Sequence, residues 1–294
     1  MQTKYLIAGP EENGDHVELW SSVRLPFEPK GWILDMRNSL RSTLKRMPNP
    51  ENKILHAMYV SADKGLFDIE NILIYNVGTG TFPELSRLGL CIERAFASPP
   101  QPEGENYSFS HYHRYRLMNI GEGSAQWSKE QSLAHWSGVP CSPLRGEHKP
   151  LVFWHAMKKG TIEILKKLEG PGQLGIELRI NAPIGTRINL AGVIKPLLDG
   201  IISGLHSHDG THNSIVVEQV ARSIGEDEPT VKQLLMDRTA EVLGVRNLLH
   251  PFGEGIQWNP ADDWFVMVKV VFDDCIAGSS WSLDGEVFTV APLR

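Results

Sequence analysis

Cysteine is scarce in this chain: three residues in 294, Cys91, Cys141 and Cys275. A set that is odd in number and widely spaced excludes a disulfide framework and a zinc ribbon, and it fits reduced thiols in a cytoplasmic protein. Long apolar runs are missing as well. Nowhere is there the stretch of about 18 apolar residues that a membrane span requires. The opening YLIAGPEENGDHVELW is too polar for the apolar core of a signal peptide. These absences lead us to expect a soluble, cytoplasmic protein with no membrane partner. Positive charge is not in excess either: 29 Lys and Arg face 35 Asp and Glu, a formal net charge of −6. That excludes a uniformly basic coat, although a local basic groove is compatible with it. What the chain does have is 41% hydrophobic residues, enough for a large core in one large or two ordinary domains.

The chain reads as alternating strands and helices. Residues 17–25 and 54–62 read as strands, and 31–47 as an amphipathic helix ended by Pro48 and Pro50. Residues 67–75 read as a helical turn or a second strand, 83–96 as a helix, and 107–118 as an aromatic strand. Residues 121–149 read as a polar linker. Beyond it we expect strand 150–157, helix 161–168, strand 175–182, helix 189–205, helices near 214–224 and 228–243, strand 263–272 and a last strand at 286–290. The expected class is α+β (mixed α/β): two similar strand-helix-strand-helix-strand units, 1–120 and 150–294, forming an intramolecular pseudo-dimer.

Chemistry concentrates in residues 172–217. Ile176, Leu178 and Ile180 alternate with Glu177, Arg179 and Asn181 in a half-buried strand that Pro183 and Gly185 end. Leu190, Val193, Ile194, Leu197, Leu198, Ile201 and Ile202 then mark one helical face. Within that helix the run from Asn189 to Gly200, NLAGVIKPLLDG, resembles the signature helix of RusA-type Holliday-junction resolvases, which pairs an Asp-x-Asp-Asn opening with a lysine and a later aspartate. Lys195 and Asp199 stand where that lysine and later aspartate would be, but Asn189, Ala191 and Gly192 replace the opening acids. In the first half Asp68-Ile69-Glu70-Asn71 matches the opening, and Ile74 replaces the lysine. FDIENILIYNVGTG thus falls where INLAGVIKPLLDG falls, and each half keeps part of the pattern.

The resemblance implies catalytic residues Asp68, Glu70, Lys195 and Asp199, with Asp68 and Glu70 holding Mg²⁺ or Mn²⁺ for phosphodiester hydrolysis. The plainer alternatives are an acidic helix-capping turn at Asp68 and Glu70 and a surface ion pair between Lys195 and Asp199.

A second candidate metal set is His206, His208, Asp209 and His212, whose imidazoles suit Zn²⁺. It partly resembles the His-x-His-x-Asp-His motif of metallo-β-lactamase-like hydrolases, though Asp209 directly follows His208 and His212 comes late. The aromatic strand carries Tyr112, Arg114 and Arg116 on one face. With Arg37, Arg41 and Lys45 along the first helix, it is the candidate surface for branched or single-stranded nucleic acid. The alternative is a charged, protected edge strand. The reading that combines these features is a nucleic-acid-binding protein related to structure-selective, metal-dependent nucleases, with a degenerate site, acting as a binding subunit beside other protein subunits. An active Mg²⁺-dependent endonuclease and a metal hydrolase using the histidine loop are the alternatives.

Overall fold

Strands that alternate apolar and polar residues need a partner layer for one face, and amphipathic helices supply it. In the computed structural model these segments form one mixed sheet carrying helices. It describes residues 3–10, 14–65, 67–104, 107–144, 150–253, 255–276, 278 and 280–293. In chain order the first half runs β1 (Tyr5–Ala8), β2 (His16–Ser21), α1 (Trp32–Leu44), β3 (Lys53–Val60), a π-helical turn (Asn71–Tyr75), β4 (Gly89–Ala95) and β5 (His111–Asn119). The second half runs β6 (Trp127–Cys141), α2 (Pro150–Lys159), β7 (Ile162–Ile164), β8 (Leu174–Pro183) and α3 (Leu190–Gly204). A peripheral group follows: β9 (Ser207–His208), α4 (Asn213–Ile224), α5 (Glu228–Met236), β10 (Val245–Arg246), β11 (Leu249–Phe252) and β12 (Gly255–Trp258). A 3₁₀ turn (Asp262–Trp264), β13 (Phe265–Ile276) and β14 (Trp281–Pro292) close the chain. No helix among the described residues is long and apolar enough to cross a membrane.

Ten strands form a single sheet in the order β1-β2-β5-β3-β4-β13-β8-β14-β6-β7. The centre is the antiparallel pair β4/β13. Outward on each side comes first a parallel pair, β4/β3 or β13/β8. Three antiparallel pairs follow on each side: β3/β5, β5/β2 and β2/β1 on one, β8/β14, β14/β6 and β6/β7 on the other. A parallel pair cannot be joined by a hairpin and needs a crossover. The crossover from β3 to β4 contains the π-helical turn. The one from β8 to β13 contains α3 and the 3₁₀ turn. Both pack on the same sheet face, where Leu55, Ala57, Tyr59, Ile176, Leu178 and Ile180 meet Ile72, Leu73, Ile194, Leu197, Leu198 and Ile201 in one core.

Several segments differ from expectation for definite reasons. Residues 83–96 contain strand β4, not a helix: all seven of its residues are buried, because it lies at the centre of the sheet with both faces covered and so shows no alternation. Residues 150–157 form helix α2. Pro150 takes the first helical position, where its missing N–H costs nothing, and Leu151, Phe153, Trp154 and Met157 are its buried residues. Side chains at Gly200 and Gly204 would collide with Pro150, Phe153 and Met157, so these glycines let α2 lie against α3. Residues 161–168 hold strand β7 in place of a helix, with Ile162 and Ile164 alternating around Glu163. Most of the expected linker 121–149 is β6, whose Leu133, Ala134, Trp136 and Val139 face the core while the residues between them face water. It pairs with β14, so the second half of the sheet begins at β6 and not at residue 150; residues 145–149 lie outside the described set. Within 67–75, Asn71–Tyr75 form the π-helical turn, with Asp68 and Glu70 at its entry.

Candidate metal and catalytic site

The two crossovers meet at Lys195. Its Nζ donates to Asp68 Oδ2 at 3.0 Å, Glu70 Oε1 at 3.0 Å, Asp199 Oδ1 at 3.3 Å and Asp262 Oδ2 at 3.4 Å. Asp68 and Glu70 come from the entry to the π-helical turn, Lys195 and Asp199 from one face of α3, and Asp262 from the 3₁₀ turn before β13. The structure therefore brings together Asp68, Glu70, Lys195 and Asp199, which are adjacent only in pairs along the sequence. It adds Asp262, which the sequence reading missed: an Asp-Asp pair ahead of an apolar strand looks like an ordinary turn.

Neither plainer alternative for these residues matches the geometry. Glu70 makes no side-chain capping bond, and Asp68 Oδ2 accepts from the Asn71 side chain at 2.6 Å. Lys195 and Asp199 are not a surface pair, since their side chains keep only 28% and 14% of their exposure and Glu70 keeps 2%. Four carboxylates thus face one ammonium in a partly buried cluster.

Burial and mutual repulsion act on the protons. Burial pushes Glu70 up to about 7, partly opposed by Lys195. Burial together with Asp68 and Glu70 pushes Asp262 up to about 8, and burial pushes Asp199 up to about 6. For Lys195, burial alone would lower the ammonium's pKa, but the surrounding carboxylates, Glu70 first, hold it above its ordinary value. Like charges this close cannot all ionise freely without a compensating cation.

Asp68, Glu70 and Asp262 each offer a carboxylate oxygen within 4.8 Å of the others, one of two such ligand groups among the described residues. An all-oxygen, partly buried, over-acidic set suits a hard divalent cation such as Mg²⁺ or Mn²⁺. The second group is His56, Cys91 and Glu93, all buried. There Glu93 already accepts from His56 Nε2 at 3.0 Å, Ser124 Oγ at 2.8 Å and the Ala125 and Gln126 amides at 3.0 Å. Burial would raise its pKa, yet these bonds, His56 first, hold it below the ordinary value. Burial and Glu93 push the Cys91 thiol well up. This group fastens the start of β6 to the central sheet.

The histidine loop does not converge. His206 Nδ1 donates to the Gly244 carbonyl at 3.0 Å and His208 Nε2 to the Thr211 carbonyl at 2.8 Å, and both residues are buried. Asp209 and His212 are exposed; Asp209 accepts from the Thr211 amide, and His212 sits in a left-handed conformation ahead of α4. No three of the four offer ligand atoms close enough for one ion, because each buried ring satisfies a backbone carbonyl instead.

The candidate nucleic-acid residues are also dispersed. Strand β5 lies inside the sheet between β2 and β3, not at an edge. Its Tyr115 and Leu117 belong to the helix-side core, so Tyr112, Arg114 and Arg116 point to the opposite face by alternation, away from the carboxylates. The Tyr112 hydroxyl donates to Glu18. Arg116 bonds His56 Nδ1 at 3.2 Å and Glu122 at 3.4 Å. On α1, Arg41 donates to the Val77 carbonyl at the end of the π-helical turn and Arg37 to the Phe27 carbonyl at 3.3 Å, while Lys45 is exposed. Arg41 and Arg116 are thus occupied in structure.

No protein-family model, curated protein or solved structure matches the chain.

Proposed function

We propose that this protein is a divalent-metal-dependent endonuclease of RusA-like chemistry, acting on phosphodiester bonds in branched nucleic acid. The observation that carries the proposal is the convergence of Asp68, Glu70, Asp199 and Asp262 on Lys195. Neither half has this set alone. The sequence resemblance supplies the substrate class, since Asp68, Glu70, Lys195 and Asp199 are the positions that match it.

Asp68, Glu70 and Asp262 would hold the ion, which supplies Lewis-acid polarisation of a phosphoryl oxygen and a more acidic bound water. Lys195 would stabilise the charge that grows on the phosphoryl oxygens during displacement. Asp199 lies outside the three-carboxylate group and, with a pKa near 6, can accept the proton of the attacking water on a side-chain oxygen. A new P–O bond forms to that water, the bond to the leaving sugar oxygen breaks, and that oxygen takes a proton from solvent. Burial keeps competing water out and strengthens each of these interactions.

A second reading is favoured by one specific distance set: Lys195 Nζ lies within 3.4 Å of all four carboxylates, so the ammonium itself can serve as the site's cation. The protein would then be a binding subunit with a degenerate centre. Calorimetric titration of Mg²⁺ and Mn²⁺ into chelator-stripped protein separates the two. Enzyme chemistry requires binding that Asp262→Asn weakens at least tenfold, whereas a built-in cation gives no heat with either ion.

A further inference from the structure

We infer that the chain carries one composite catalytic centre and a vacated counterpart, so that each engagement with nucleic acid cuts a single strand. This rests on the endonuclease reading above.

The centre of the sheet relates the two halves. The β4/β13 pairing runs from Gly89 to Glu93 against Val271 to Met267, with Cys91 opposite Lys269 at its middle. A two-fold axis there exchanges Leu90 with Val268. Their parallel neighbours are Leu55 on β3 and Ile176 on β8, so the axis takes Leu55 to Ile176. The same sequence offset takes Asp68 to Asn189, Glu70 to Ala191, Ile74 to Lys195 and Gly78 to Asp199. This is the correspondence that the motifs show when FDIENILIYNVGTG is laid on INLAGVIKPLLDG. Strand register and motif alignment, two separate observations, give one offset.

Contacts between the crossovers follow the same exchange. The entry to the π-helical turn reaches the middle of α3 at Lys195, and its carboxylate oxygens lie within 4.8 Å of those of Asp262 in the turn before β13. The entry to α3 reaches back to the end of the π-helical turn, where the Tyr75 hydroxyl donates to the Gly192 carbonyl at 3.4 Å. It also reaches the segment before β4, where the Ala191 amide donates to Ser86 Oγ at 3.2 Å.

The counterpart therefore consists of Asn189, Ala191, Ile74 and Gly78. Its asparagine caps α3 by accepting from the Gly192 amide at 3.2 Å, Ala191 and Ile74 are buried in the core, and Gly78 has φ 112° with the Arg41 guanidinium against it. None of the four ionises. Lys195 and three of the acids thus have no ionisable counterpart, and Asp262 maps through the β4/β13 register to Glu84, a single exposed carboxylate. Two equivalent centres related by a two-fold axis would address both strands of a nucleic acid with matching symmetry. This chain addresses one.

Two measurements test the inference. Mn²⁺ titration followed by electron paramagnetic resonance should show one class of tight sites per chain, abolished in Asp68→Asn and unchanged in Asn189→Ala. Tight sites that survive Asp68→Asn overturn the inference. The second is cleavage of a supercoiled plasmid carrying an extruded cruciform, with protein limiting and Mg²⁺ present. Nicked circles should accumulate first, with linear DNA forming only through later engagements. Linear product appearing at the same initial rate as nicked circles overturns single incision while leaving the endonuclease reading intact. An uncut plasmid together with no Mn²⁺ binding overturns both.

Discussion

Lys195 is the residue on which the site depends. Replacing it with methionine keeps the side-chain volume but leaves Glu70, Asp199 and Asp262 without their cation. Breaking a buried ionic cluster from one side costs a few kcal/mol, so Lys195→Met should lose about 2–4 kcal/mol of unfolding free energy at pH 8 in chelator. The loss should shrink at pH 5, where the carboxylates can take protons, and Mg²⁺ should recover part of it at pH 8. Urea denaturation under these conditions checks all three.

Proton linkage has opposite signs at two places. Glu70 and Asp262 have pKa values raised by burial to about 7 and about 8. The folded state therefore binds more protons than the unfolded state, and this stability is present at low pH and lost as pH rises through 7 to 8. His206 and His113 are lowered by burial to about 4 and about 3, so theirs is present above the unfolded imidazole value and lost as pH falls below it. Between the unfolded carboxylate value of about 4 and the unfolded imidazole value of about 6.5 the two trends oppose each other, and above pH 7 the carboxylates alone lower the stability of the metal-free protein. Substituting His206 with asparagine should flatten the acid limb, which on this linkage carries on the order of 2 kcal/mol for that residue. An acid limb unchanged in the variant would refute the assignment.

At the scale of elements, α3 was legible because seven apolar residues fall on one helical face. β8 was legible by alternation. β4 was not, because full burial on both faces erases the period that distinguishes strand from helix, and α2 was not, because a short apolar run does not by itself separate strand from helix. The interior proline of α3 has a structural consequence that no local pattern shows. Pro196 has no N–H to offer the Gly192 carbonyl one turn earlier, and the Tyr75 hydroxyl supplies the donor across the crossover contact. Tyr75→Phe should therefore cost about 1 kcal/mol. The cost should fall markedly in a Pro196→Ala background, where the helix provides its own donor. A double-mutant cycle showing simple additivity would contradict this link.

Across the whole molecule, the mixed fold class could be read from the sequence, and so could two acids in one half and a lysine–aspartate pair in the other. Their meeting could not be read, because it depends on how two crossovers pack over one sheet, and neither crossover carries a local sign of the other. Asp262 was invisible for the same reason: its role comes from position at the mouth of β13, not from neighbours in sequence. Conversely, the histidine loop was the densest ligand cluster in the sequence. One nitrogen of each of two buried rings, His206 and His208, goes to a backbone carbonyl instead. Arg114 and Arg116 lie on the sheet face away from the carboxylates. Substituting both with alanine should therefore change the cleavage rate less than fivefold at low salt, as measured by initial rates on a branched substrate.

Cleavage of nucleic acid by the cluster around Lys195 is open to a direct test. Purified protein is incubated with an end-labelled synthetic four-way DNA junction in Mg²⁺ and in chelator, alongside Asp68→Asn protein verified as folded by circular dichroism. The expected result is cleavage in Mg²⁺ alone, reduced at least a hundredfold by the substitution. A junction that is bound yet remains intact in both Mg²⁺ and Mn²⁺ would contradict the claim and leave the protein a binding subunit with a lysine in place of its metal.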